Sequence, residues 1–119
     1  MKKRIFLSAP ITGQINENKG AFNDAATILR AMGHIVFVPY EIMQMHDCTD
    51  FDHMDYCRIC GAVLIREADI MIQLKGWERS AGCAIEKAAC DLFKIEYMTI
   101  EEFLEKNNYG VPEIKETNI

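Results

Sequence analysis

Ile70, Met71 and Ile72 form an unbroken apolar run near the middle of the chain. A strand with one wet face would alternate apolar and polar residues. An unbroken run suits a strand buried on both faces, as in a parallel sheet covered by helices. The spacing predicts a strand over 69–74. Shorter runs predict strands over 4–7, over 35–38 where Pro39 stops the run, and over 95–98. Between them the apolar residues recur at helical spacing. Ala21, Phe22, Ala25, Ala26, Ile28, Leu29 and Met32 make one such stripe, ended by Gly33. Met54, Cys57, Ile59, Cys60, Val63 and Leu64 make another. Ser80 is placed to cap a helix running to Leu92, and Thr99 a last helix to about Lys106.

Strands alternating with helices imply right-handed crossovers and a parallel sheet. The expected fold is therefore α/β: a doubly wound, three-layer sandwich with four to five parallel strands. The 119 residues suit a single domain over 1–119, in which 110–119 is a polar tail. A doubly wound sheet binds ligands at the carboxyl ends of its strands, near a topological switch point. Three segments leave strands on that edge: 8–13, 39–52 and 75–80. The middle one, mixed in Met, His and Asp, reads as an irregular loop long enough to have a function.

The net charge of −5 argues against a polymeric nucleic acid as partner, because phosphate backbones need clustered Lys and Arg. The start, Lys2-Lys3-Arg4 followed by Ile5-Phe6-Leu7, imitates a signal peptide, yet its apolar run is far shorter than the roughly 7–15 residues required. No stretch approaches the ~20 apolar residues of a membrane helix. The expectation is a cytoplasmic protein without a membrane partner. The cysteine count, five, is odd, which without a secretion signal suits free thiols.

Chemistry is sought on the binding edge. Ser8, Pro10, Thr12 and Gly13 make a short hydroxyl-bearing loop that can bring backbone N–H groups to an anion. A plain strand-to-helix turn is the alternative. Trp77, Arg79, Ser80 and Gly82 surround the start of a helix, where free N–H donors and the helix dipole favour phosphate or carboxylate. Trp77 either stacks on a base or simply packs. Glu86 has only Gly82, Cys83, Ala89 and Cys90 as helical neighbours, so no i,i+4 ion pair accounts for it. It is either a site carboxylate or a solvated helix-face residue. Asp47, Asp50, Asp52 and Asp55 offer acids, bases or Mg²⁺ ligands, or merely a solvated loop edge. Cys57 and Cys60, with His46, Cys48 and His53 nearby, invite a zinc or redox reading. Their place inside a helix speaks against it, and no metal or cofactor is expected.

These segments together resemble the nucleoside 2-deoxyribosyltransferase-like superfamily, especially its short bacterial and phage members. The likeness is carried by Phe6-Leu7-Ser8-Ala9-Pro10-Ile11-Thr12-Gly13; by Phe22, Asn23, Ala25, Ala26 and Leu29 with Gly33-His34, Val36 and Pro39; by Tyr56, Arg58, Ile59 and Cys60; by Ala68-Asp69; and by Gly76-Trp77-Glu78-Arg79-Ser80 running to Glu86. It spans about residues 4–98. It implies a flavodoxin-like sheet and cleavage of the N-glycosidic bond of a (deoxy)nucleoside or its 5′-monophosphate, by hydrolysis or base transfer.

By the same resemblance, Glu86 falls at the nucleophile that attacks C1′ of the sugar. Ser80 falls where members acting on monophosphates carry Ser and transferases often carry Asp. The usual acid of the catalytic helix falls on Cys60 or Gly61, so Asp55 or Asp52 is the substitute. The usual first-strand Tyr falls on Ile5-Phe6, which has no hydroxyl. The resemblance also implies a homodimer or higher homo-oligomer, with which Met43, Met45 and Trp77 are compatible as exposed residues. A sensor or sequestering protein for a nucleotide or ADP-ribose-like ligand is the alternative function.

Overall fold

The computed structural model describes residues 2–46 and 52–108, with His53 described by its backbone alone. The expected polar tail over 110–119 lies outside these residues. Four parallel strands, β1 (Arg4–Ser8), β2 (Ile35–Phe37), β3 (Ile70–Gln73) and β4 (Glu96–Thr99), lie in the order β2-β1-β3-β4. Five helices flank them: α1 (Lys19–Ala31), α2 (Pro39–Met45), α3 (His53–Glu67), α4 (Ala81–Phe93) and α5 (Ile100–Lys106). This is a three-layer α/β sandwich of flavodoxin/Rossmann-like form, as the alternation of runs and stripes predicts. Among the described residues the sheet has four strands.

Alternation along the strands divides the core in two. Ile5 and Leu7 of β1 and Ile70 and Ile72 of β3 meet Phe22, Ala26 and Leu29 of α1 and Phe103 and Leu104 of α5. Phe6 and Met71 point the other way, onto Ile42 and Met43 of α2, Cys60 and Leu64 of α3 and Cys90 of α4. All four residues of β3 are buried, which is why its sequence shows no polar alternation. Each fully buried Leu, Ile or Phe contributes ~1.5–3 kcal/mol relative to exposure.

Local signals set the boundaries. Gly33 takes the left-handed conformation after α1, at φ +96°. Thr99 and Glu102 form a reciprocal capping box at the start of α5, as do Asp52 and Asp55 at the start of α3. One expectation is corrected here. Residues 39–45 are helical, where the sequence reading gives an irregular loop. Pro39 both stops β2 and sits in the first turn of α2, with φ preset for a helix. Pro39, Ile42 and Met43 bury a narrow stripe, and Glu41 pairs with Arg30 at 2.8 Å. The stripe is too short to stand out among polar neighbours.

The ends of β1 and β3 meet through the segments that follow them. Gly76 has φ +93°, and a Cβ placed on it would lie 3.0 Å from Cγ of Pro10. Both the backbone conformation and the close approach demand glycine. Gly76→Ala is expected to lower stability by about 1–2 kcal/mol, read as a drop in the urea midpoint with unchanged slope.

Candidate functional site

Three strand-edge segments and the start of α4 enclose a cavity of about 850 Å³. Pro10, Ile11 and Thr12 line it after β1, with Gln14, Glu17 and Lys19 further along. Tyr40, Met43 and Gln44 come from α2, and Asp52, Tyr56 and Cys57 from the start of α3. Gly76, Arg79, Ser80, Ala81 and Gly82 complete the wall, and Glu86 reaches in from the second turn of α4. The volume lies within the ~300–1,000 Å³ range of small-molecule sites.

Glu86 is tied to the sheet. Ser8, at the carboxyl end of β1, donates its hydroxyl hydrogen to Glu86 Oε1 at 2.6 Å. Burial pushes the Glu86 carboxyl up to about 7, and the Ser8 hydrogen bond partly opposes that shift. The groups around it are neutral. Burial, and then the nearby Glu86, raise the thiols of Cys57, Cys60 and Cys90, Cys60 to about 12 and Cys90 to about 11. Tyr56 is raised as well, first by burial. Cys83 is raised by burial, tempered by the hydroxyls of Ser8 and Ser80. Glu86 is therefore a partly desolvated carboxyl poised to change charge near neutrality, a property that clusters at functional sites.

The start of α4 is polarised for an anion. Ser80 caps the helix, its Oγ accepting from the Cys83 N–H at 3.2 Å. Ala81 and Gly82 expose first-turn backbone to the cavity. The Arg79 guanidinium lies over Gly76, 3.6 Å from where a Cβ would stand. On the opposite wall Lys19 Nζ sits 5.3 Å from the centre of the Tyr40 ring, and the Tyr40 hydroxyl donates to Asn23.

Most of the sequence-level candidates converge here: Pro10, Thr12, Arg79, Ser80, Gly82 and Glu86 line the cavity, and Ser8 lies beneath Glu86. Three do not. Gly13 is exposed at φ +80° and outside the lining. Trp77 is half-buried and also outside it. Asp55 lines a separate depression of about 540 Å³ with Arg58 and Arg66. Its carboxylate accepts from the Asp52 N–H at 3.2 Å, closing the capping box. The fold thus brings Asp52, and leaves Asp55 out, because the cavity wall includes the cap residue and excludes the position three further on. Met43, expected as exposed, is 3% exposed and part of the core.

Sequence reasoning passed over Lys19, Tyr40 and Cys57 as cavity residues. Lys19 opens the helix that follows the first binding-edge segment and Tyr40 lies inside the second, and those positions are the available signal. The sequence gives Cys57 to the apolar stripe of a helix and to a zinc or redox reading with Cys60. Cys57 and Cys60 lie inside α3, one half-buried and the other buried. Among the described residues no group of three or more His, Cys, Asp or Glu is placed to hold a metal ion. Asp47, Cys48 and Asp50 lie outside the described residues. No helix among the described residues is long and apolar enough to cross a membrane.

Fold and site together define an α/β domain with a cavity of small-molecule size at a sheet switch point. Residues 3–99 match the model of a domain of unknown function, DUF4406, and the chain belongs to that family. None of the curated proteins compared with the chain matches it.

A carboxyl whose folded pKa lies above its ordinary 4.5 binds extra protons in the fold, so its contribution is present below 4.5 and is lost as pH rises through about 7. Glu86→Gln keeps the acceptor and cannot ionise. Urea unfolding is expected to show near-equal stability of the two proteins at pH 4. At pH 8 the variant is expected to be more stable, by on the order of 2 kcal/mol.

Proposed function

We propose that this protein cleaves the N-glycosidic bond of a (deoxy)nucleoside or its 5′-monophosphate, with Glu86 as nucleophile. The observation that carries this is the Glu86 carboxyl held on Ser8 in a cavity of nucleotide size. The resemblance to the nucleoside 2-deoxyribosyltransferase-like superfamily supports it, since the hydroxyl expected from a first-strand Tyr is supplied two residues later by Ser8.

In the proposed reaction an ionised Glu86 oxygen attacks C1′. The C1′–N bond breaks, its electron pair leaves on the base nitrogen, and a glycosyl ester forms on Glu86. A proton reaches the departing base from water or through a cavity-wall carboxyl, of which Asp52 and Glu17 are the two besides Glu86. Water then attacks C1′ and frees the sugar, or a second base does so and completes a transfer. The start of α4, with Ser80 and Arg79, would hold the 5′-phosphate, where a Ser tolerates the dianion and an Asp would repel it.

A homodimer or higher oligomer and a cytoplasmic setting belong to this reading. Ile85 and Leu92, seven residues apart on α4, are 51% and 72% exposed and suit a homo-oligomeric face. A second reading, a binding protein for a nucleotide or ADP-ribose-like ligand, is favoured by one observation. Asp55 is absent from the cavity, and Asp52 is engaged in capping α3.

Chromatography of free base tests the proposal. Wild type is expected to release base from at least one deoxynucleoside 5′-monophosphate, at a rate rising with pH through about 7 as Glu86 ionises. Glu86→Ala should lower that rate at least ~100-fold. Ser80→Asp should shift preference towards the unphosphorylated nucleoside by ~10-fold or more. Equal rates for wild type and Glu86→Ala would overturn the nucleophile. Calorimetric binding of these nucleotides without product would establish the second reading.

A further inference from the structure

Gln73 closes β3 and is 3% exposed. Its side-chain Nε2 is buried and has no hydrogen-bond partner. It stands alone in this respect among the buried side chains described. An orphaned amide of this kind costs roughly 1–3 kcal/mol, so its retention asks for a reason.

Register supplies the neighbour. Gln73 is the lateral partner of Ser8 across the β1–β3 ladder. Adjacent strands lie about 4.8 Å apart, and the two residues project from the same sheet face as Phe6 and Met71, towards α3 and α4. Ser8 is the residue that donates to Glu86 Oε1. The unpartnered N–H thus belongs to the residue one strand away from the Ser8 that holds the site carboxyl, on the same side of the sheet.

Glu86 has the complementary deficiency. Facing it are Ser8 from β1, Tyr56, Cys57 and Cys60 from α3, and Cys83 and Cys90 from its own helix. Each is neutral near pH 7. Lys19 and Arg79 belong to the cavity wall, and neither contributes to the shift of the Glu86 carboxyl, which has burial and Ser8 as its causes. One donor suffices for a protonated carboxyl. A buried carboxylate normally takes two or three.

We propose that Gln73 is a positioning residue whose side-chain N–H becomes the second donor to Glu86 when Glu86 ionises. The inference rests on reading Glu86 as the working carboxylate of the site. Ser8 and Gln73 would then hold the carboxylate from adjacent strands and aim its free lone pairs at the cavity. Gln73 acts through Glu86 and has no contact with substrate.

The test is a titration of the Glu86 side-chain carboxyl by carbon-13 NMR, with Glu86→Gln identifying the resonance. Gln73→Met keeps the volume and removes the donor. The variant is expected to move the Glu86 midpoint upward by about one unit, a tenfold change in its ionisation constant. Base release, where present, should lose rate at pH 6–7 through kcat with little change in KM. A merely structural Gln73 gives the opposite pattern: Gln73→Met becomes more stable at every pH and the midpoint stays within about 0.2 units. That result overturns the proposal. A reading from wild type alone covers a variant that fails to fold. The Gln73 side-chain nitrogen-15 and N–H signals should shift with the Glu86 midpoint, and stay flat in Glu86→Gln; a flat response in wild type also overturns it. Absence of base release from wild type defeats the glycosidase reading and leaves this titration to decide the role of Gln73.

Discussion

Lateral pairing of β1 with β3 is the constraint on which the rest of the molecule depends. Because β3 lies beside β1 and on the side away from β2, the chain leaves the two central strands in opposite directions. The segment after β1 goes to α1 on one face, and the segment after β3 goes to α4 on the other. Their divergence opens the cavity, and no side chain has to be sacrificed from the core to make room. The same pairing sets Ser8 beside Gln73, so the hydroxyl that holds Glu86 stands on a strand whose position is fixed by backbone hydrogen bonds. Groups placed on strands in this way are held more tightly than groups on loops.

Around Glu86 the fold packs thiols. Cys60, Cys83 and Cys90 are buried, and each is held neutral by the same burial that affects Glu86. Free cysteine packs as a small hydrophobe. A ring of such residues withholds water from the carboxyl without supplying a compensating cation. The result is a carboxyl with little electrostatic help from its surroundings and a single hydroxyl to lean on. Of the pair that reads along the chain as a redox motif, Cys60 packs among these buried thiols and Cys57 lines the cavity.

The fold was legible because its signals are periodic. Strands buried on both faces leave unbroken runs, and α1, α3 and α4 leave stripes, so layers and helix caps at Ser80, Thr99 and Gly33 follow from local chemistry. The helix at 39–45 was hidden because Pro39 serves two elements and seven residues cannot display two turns of a stripe. The site was legible in part. Glu86 stood out for its lack of a partner and Ser80 for its cap position. Asp52 and Asp55 look equivalent in sequence, and the capping box alone separates them, turning one to the cavity wall and the other to a different depression. The Ser8 and Gln73 pairing depends on strand order, which no local pattern encodes.

The contact between Gly76 and Pro10 has a mechanical meaning. The backbone of one segment presses on the ring of the other with no side chain between them, and Asn18 anchors the Pro10 carbonyl at 2.8 Å on the far side. The two walls that leave the central strands are in effect a single jaw, and rigid neighbours in close packing transmit displacement rather than absorb it. The segments that follow β1 and β3 therefore share one rigid contact, and the position of either wall fixes the position of the other.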